Sequence, residues 1–353
     1  DEDWATLETP RFRVTFPLRL EAIGRDAAAI AERVHAVLSA ELAPAPDGPV
    51  ELVVTDHVDY TNGYATPFPS NRIVVFARPP LDMHSLGYTR EWMELVVAHE
   101  LVHIFHADIA GSVGRALRSL FGRVPFPWPF FPAIGTPAWN LEGLATHYES
   151  RLTGAGRVHG TFHDMVVRTA ALEEEIPSLG RVTTPSPVWP GGQRSYIYGA
   201  SFMRWLADRQ GPDVHARLLD ATASAVLPTF LFFDGVARDV TGQDFDALYD
   251  LWRDDARRDA LARRDRVVAA GLVEGEPVAP AGTPAADGTR APFAVHPRVS
   301  PDGARLAFAA DDYRSDPATR VLDLATGDVR VIARRNQSGS LLGPAAWLPD
   351  GSG

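Results

Sequence analysis

Cysteine is missing from the 353 residues, and lysine is missing too, so all 34 basic residues are arginine. Without cysteine there can be no disulfide, no thiol nucleophile and no thiolate zinc site. Any metal must therefore be held by imidazole and carboxylate groups. No apolar run approaches the roughly 20 residues that cross a bilayer, so no membrane span is expected. Positive charge is also scarce: 45 acidic residues against 34 arginines leave a net charge of -11. That balance, with no positive face evident along the chain, disfavours nucleic acid or an anionic membrane as a partner. The missing lysine, beside abundant alanine, glycine and proline, reads as codon bias of a GC-rich genome. With 45% hydrophobic and 22% charged residues the chain can bury a sizeable core, and its length suits two domains.

Against these absences stands one pattern, His99-Glu100-Leu101-Val102-His103. With 11 His and 16 Glu in 353 residues, His-Glu-x-x-His would arise by chance with a probability of about 0.02, so the match calls for an explanation. Trp92, Leu95, Val96, Val102 and Phe105 have helical spacing around it, Thr89 is placed to cap the start, and Glu91 and Glu94 suit the first turns. On a helix the imidazoles of His99 and His103 leave the same face and can grip one metal ion. Glu100 then lies beside the ion, placed to take a proton from water.

A catalytic zinc site needs a third protein ligand and an open position. The metzincin arrangement requires Gly at 106 and His at 109, where the chain has His106 and Ile109. Asp108 lies about 140° from the ligand face if the helix continues. Glu142, in Trp139-Asn140-Leu141-Glu142-Gly143-Leu144-Ala145, opens a second helix and is the better candidate. This run resembles the gluzincin metallopeptidases, in which a Glu followed by Gly, and then Ala, donates the third ligand, the Gly permitting close helix contact. The 39 positions between His103 and Glu142 exceed the aminopeptidase and thermolysin-like spacing of about 20 and resemble the looser peptidase-MA-like group.

Further expectations follow from that resemblance. The opening Trp4 to Phe16 is similar to the group's first strand. Asn71 to Ala77 is similar to its edge strand, which pairs with an extended substrate backbone; by its own residues this run is equally compatible with a central strand. Ser195 to Phe202 resembles the region that supplies an oxyanion stabiliser, with Tyr198 first and Tyr196 second. His147 and His106 read as supporting or structural residues, and His159 and His163 carry no spacing argument. The resemblance implies one Zn2+ per chain, a peptide or protein substrate, and a secreted or periplasmic location, Asp1 resembling a mature N-terminus.

The predicted order is strands over 11–16, 50–55 and 72–77, and helices over 22–42, 90–109, 139–151, 162–175, 196–210, 213–224, 228–239 and 244–270. Strands early and helices late suit an α+β zincin-like domain with a small N-terminal sheet and a helical C-terminal lobe. Between the two metal-site helices, Pro125, Pro127, Pro129 and Pro132 forbid a continuous helix. Phe121, Phe126, Trp128, Phe130, Phe131 and Trp139 make this an aromatic loop, packed, lining the cleft or dipping into a membrane. The texture changes near Gly271. Residues 1–272 form the metallopeptidase-like domain and 273–353 a linker, Glu274 to Thr289, followed by β structure. Ser300-Pro301-Asp302-Gly303 and Asp323-Leu324, with a second Pro-Asp-Gly at 349–351, resemble a TolB-type β-propeller. Only a partial propeller, little more than one blade, is present, which implies further blades and a longer protein. Two competing readings stay open: a non-catalytic propeller-based binding scaffold with a structural metal, and a zinc hydrolase acting on a non-peptide substrate.

Overall fold

The computed structural model describes every residue except Asp1, Asp59, 81–85, Pro185, Pro187, 276–277, 279–292, 312–315, 335–344 and Ser352. Most of the expected linker lies outside the described residues. Contacts divide the chain into two compact units, residues 1–80, 85–184 and 193–263, and residues 81–84, 185–192 and 264–353. The 272/273 boundary read from composition lies further along the chain than this division.

The first unit is α+β. Strands β1 (Trp4–Glu8), β2 (Phe12–Pro17), β3 (Val50–Thr55), β4 (Gly63–Thr66) and β5 (Arg72–Phe76) form one sheet in the order β1-β2-β3-β5-β4. The central pairs β2–β3 and β3–β5 are parallel, with Leu52 in register with Val14 and Ile73; the outer pairs are antiparallel. In β2 and β3 burial alternates, so Phe12, Val14, Phe16, Val50, Leu52 and Val54 line the core. β5 differs: Ile73, Val74, Val75 and Phe76 are all buried, because both faces of this strand are covered. This corrects the edge-strand expectation for 71–77. β5 lies between β3 and β4, and the outer strand is the short β4, for which Gly-Tyr-Ala-Thr has too little apolar pattern to be foreseen.

Helix α1 (Glu21–Glu41) lies between β2 and β3 in the chain, and α2 (Trp92–Asp108) follows β5. Of the 17 residues of α2 only Glu94, His103 and Ala107 escape full burial, so it is a core helix, apolar on all sides. Its cap is Glu91, not Thr89. The Glu91 carboxylate accepts from the backbone N–H of Met93 and Glu94, whereas the Thr89 hydroxyl donates to the Glu91 carbonyl. At its start, the Trp92 indole N–H donates to the Phe76 carbonyl at 2.8 Å, fixing α2 to β5.

The helical lobe continues with α3 (Ser112–Phe121), α4 (Ala138–Thr153), α5 (Thr161–Leu172), α6 (Leu179–Thr183), α7 (Arg194–Gln210), α8 (Val214–Ala223), α9 (Thr229–Thr241) and α10 (Phe245–Ala269). α3 and α6 are not among the helices expected from the sequence. The expected close approach of Gly143 is made to α7: a methyl on Gly143 would stand 2.6 Å from the Gly199 carbonyl carbon, and one on Gly199 2.5 Å from the Trp139 carbonyl oxygen. Only glycine lets these two backbones touch. Gly143→Ala is therefore expected to part α4 from α7 and cost about 1–3 kcal/mol, read from the urea midpoint. An unchanged midpoint would contradict the crossing.

In the second unit β6 (Phe293–Val299), β7 (Arg305–Asp311), β8 (Ala318–Asp323) and β9 (Val329–Arg334) make an antiparallel meander in chain order. Its small core is Phe308, Ala310 and Leu322, with Leu306 against them. The Ser300-Pro301-Asp302-Gly303 turn forms as expected: Asp302 accepts from the backbone N–H of Ala304, and Gly303 takes the left-handed φ of 73°. Gly351, in the second Pro-Asp-Gly, has φ 72°, and Arg305 donates to its carbonyl at 2.8 Å. The described residues contain one meander and no closed propeller.

Candidate metal centre

Helix α2 presents His99 and His103 one turn apart, and α4 brings Glu142 to them from its second turn. Among the described residues this is the one group of three or more His, Asp or Glu side chains spaced to hold a metal ion. The three facing atoms form a nearly equilateral triangle: His99 Nε2 to His103 Nε2 is 3.2 Å, His103 Nε2 to Glu142 Oε2 3.3 Å, and His99 Nε2 to Glu142 Oε2 3.4 Å. Tetrahedral bonds of about 2.0–2.1 Å, those of zinc to nitrogen and oxygen, require donors about 3.3–3.4 Å apart. Glu142 Oε2 is buried with no hydrogen-bond partner and faces the two imidazole nitrogens. A cation would satisfy it, so the donor set, the spacing and the orphaned oxygen all fit zinc.

The far side of His99 is held just as firmly. Its Nδ1 lies 2.8 Å from Glu149 Oε2 and also 2.8 Å from the Arg157 Nη2. One nitrogen cannot donate and accept at once, and the carboxylate can only accept. The tautomer that donates Nδ1–H to Glu149 leaves the Nε2 lone pair on the triangle. Glu149 is fully buried, and Arg157 grips it through Nε at 2.8 Å and Nη2 at 2.6 Å. Burial would raise this carboxyl, but the charge and hydrogen bonds of Arg157, with His99, hold it at about 2. On His99 itself burial and Arg157 work against protonation; Glu142 and Glu149, on its two nitrogens, outweigh them and lift it to about 9. A cation among the donors would take that proton's place.

Nothing in the sequence singles out Glu149, although it stands seven residues after Glu142, two turns along the same face. Arg157 gives no signal either, since it arrives from a short 3-10 turn after α4.

Glu100 is buried beside the triangle but is not a corner of it, and burial raises its carboxyl above the usual range. The short outer strand comes close here: a methyl on Gly63 of β4 would meet Glu100 Oε1 at 3.1 Å and Val96 Cγ2 at 2.6 Å.

The two tyrosines part company, because residues two apart on a helix lie about 200° apart. Tyr196 stacks on the His99 ring, centroids 6.2 Å apart, with the Arg157 guanidinium 4.8 Å from its own centroid. Burial and the nearby carboxylates of Glu142 and Glu100 push its phenol up, so it stays protonated. Tyr198, the first choice from sequence, is buried elsewhere on α7; burial pushes it up to about 12, and its charged neighbours are Arg194 and Glu175.

The remaining histidines stay out of the site. His106 is completely buried with Nε2 3.3 Å from the Asn140 amide, and burial and His103 push it down to about 3. His147 packs on Tyr148 and His215, away from the triangle. His159 is exposed, and His163 is buried with burial and Arg157 pushing it down to about 3. Asp108 is no ligand either: it accepts from Arg118 and Asn71 and pairs with Arg123.

No family model matches the chain, and no curated protein matches it. Among solved structures, the chain is similar to native yeast LTA4 hydrolase at 16% identity with a TM-score of 0.44, over 70% of this chain and 38% of that one. The chain thus spans little more than a third of that protein, and a likeness so slight says nothing of activity.

Proposed function

We propose that the first unit is a zinc-dependent hydrolase of peptide bonds, of gluzincin type, with His99, His103 and Glu142 as metal ligands. The observation that carries this reading is the donor triangle of 3.2–3.4 Å with the buried Glu100 beside it. When bound, zinc supplies a Lewis acid that polarises the scissile carbonyl and makes water more acidic. Glu100 takes the proton of the attacking water as it adds to the carbonyl carbon, and passes it to the departing amine as the carbon–nitrogen bond breaks. Tyr196, kept neutral, donates its O–H to the developing oxyanion. Glu149 and Arg157 fix the His99 ring.

A peptide, rather than another acyl substrate, is supported by β4. The sheet ends at this strand among the described residues, and its Gly63 lies against Glu100, so an extended chain added along its free edge would pass the base. The meander of the second unit is read as the first propeller blade, with further blades and a secreted or periplasmic setting as part of the same proposal.

The deciding experiment is zinc stoichiometry by mass spectrometry beside a peptide-library digest. About one zinc per chain is expected, with Glu142→Ala weakening binding by roughly a hundredfold. A native chain that takes up no zinc after reconstitution would overturn the reading and favour the binding scaffold. Zinc retained undiminished by Glu142→Ala would remove Glu142 from the ligand set.

A further inference from the structure

The long stretch between α2 and α4, which sets His103 and Glu142 so far apart in the chain, holds α3 and the aromatic loop after it. It supplies none of the metal-centre side chains. Its aromatic residues divide: Phe131 is fully buried, whereas Phe121 and Phe126 are exposed. Phe131 packs edge-on against Phe68, ring centroids 4.6 Å apart, and the guanidinium groups of Arg118 and Arg123 lie 3.8 and 5.1 Å from its own centroid. Phe68 belongs to the link between β4 and β5, so the inserted stretch reaches back to the sheet.

Arg123 makes the connection polar as well. The link is residues 67–71, Pro-Phe-Pro-Ser-Asn, and Arg123 holds both ends of it: Nε donates to the Pro67 carbonyl at 2.9 Å, and Nη2 to Asn71 Oδ1 at 2.7 Å. The same Nη2 lies 2.8 Å from Asp108 Oδ1, and Asn71 Nδ2 donates to Asp108 Oδ2 at 3.1 Å. Asp108 is the last residue of α2, the helix that carries His99 and His103. Asn71 and Asp108 are 2% and 7% exposed, and hydrogen bonds to a charged group shielded from water are the strong ones. A planar guanidinium with a fixed fork of donors suits three acceptors set in different directions.

What the link carries gives this hold its meaning. β4 has four residues and one neighbouring strand among the described residues, and a short strand at the end of a sheet frays unless something fixes it. The Phe76 N–H donates to the Asn62 carbonyl, so by antiparallel alternation Tyr64 and Thr66 turn their backbone groups to β5, and Gly63 and Ala65 turn theirs to the free edge. The Gly63 N–H is taken by Asn62 Oδ1 at 2.9 Å, which leaves the Gly63 carbonyl and both backbone groups of Ala65 for an added strand. At the Gly63 end, β4 rests on Val96 and Glu100 of α2. At the other end, directly after Thr66, the hold is Arg123, and through Asp108 it also leads to α2.

We infer that Arg123 is a positioning residue for substrate: it fixes β4, the strand proposed to receive the peptide, against the helix that carries the metal ligands, and the inserted stretch delivers it. The inference rests on the reading of β4 as the substrate-binding edge.

The test compares Arg123→Met with the native full chain in two measurements. Asp108 keeps Arg118 as a partner at 3.0 Å, so no carboxylate is left uncompensated. Hydrogen exchange read by mass spectrometry is expected to quicken about tenfold over residues 62–71, with α2 and α4 at native rates and zinc content unchanged. In steady-state kinetics, KM for an extended peptide of about six residues should rise about tenfold with kcat within about twofold, while a blocked dipeptide, too short to lie along β4, keeps native constants. A residue needed only for folding would shift both substrates and both constants alike. Arg123→Lys, which keeps the charge beside Asp108 but not the fork of donors, should show the same pattern at about threefold, and it takes the place of Arg123→Met if far-UV circular dichroism shows that variant unfolded. Unchanged exchange over 62–71, faster exchange in α2 and α4, loss of zinc, or an equal effect on the two substrates would each overturn the inference. A native chain that cleaves neither substrate would overturn it through the reading it rests on, and faster exchange confined to 62–71 in the variant would then show that the hold on β4 itself is sound.

Discussion

Glu100→Gln is expected to lower kcat on peptide substrates by roughly 10²–10⁴-fold while zinc content stays at the native level. Glutamine matches glutamate in volume, so the packing of α2 against β4, where a Gly63 methyl would already touch Glu100 Oε1 at 3.1 Å, is undisturbed. What disappears is an ionisable oxygen able to take and return a proton. Burial raises the Glu100 carboxyl above its usual range, toward the pH at which a general base works best. The side chain lies outside the donor triangle, so the substitution removes no ligand. Metal content by mass spectrometry and steady-state kinetics on the same preparation decide the matter. Undiminished turnover would eliminate Glu100 as the base. A fall in turnover matched by a fall in zinc would mean that the side chain supports the metal instead.

The parts of the fold and site that are legible in the amino-acid sequence follow one rule: periodicity reveals what shares a face, and only that. His99 and His103 can be read because they rest on helical spacing in a long apolar stretch, whereas Glu142 and the pairing of its helix with theirs rest on the resemblance of its Glu-Gly-x-Ala run to the gluzincins. The core strands β2 and β3 can be read from their alternation, and β5 from a short β-branched apolar run. Glu149 obeys the same spacing relative to Glu142, yet a glutamate two turns on is ordinary on any helix until its burial is known. Arg157 and β4 escape altogether: one comes from a 3-10 turn, the other has four residues without an apolar pattern. The order of Tyr198 and Tyr196 depends on the roll of α7, which is set by the Gly143–Gly199 contact with α4.

The Glu149–Arg157 pair yields the second large effect, because here stability and metal affinity should separate. Both side chains are buried, Glu149 entirely, so each charge relies on the other. Glu149→Gln leaves the Arg157 guanidinium uncompensated and is expected to destabilise the metal-free protein by about 3–5 kcal/mol. Replacing both, Glu149→Met with Arg157→Met, removes the unpaired charge and should restore most of that loss, since a buried pair often adds little over apolar groups of similar volume. Zinc affinity should not recover. His99 lacks its Nδ1 carboxylate acceptor in both variants, so its ring is free to turn and to shift tautomer, and the affinity is expected to fall by about 10–100-fold in each. Urea unfolding in the presence of a chelator measures the first quantity, and zinc competition against a chromogenic chelator the second. If the double variant regained native zinc affinity, the pair would be structural only. If Glu149→Gln proved as stable as the native chain, the guanidinium would have found another partner, and the assigned hold on His99 through Glu149 would fail with it.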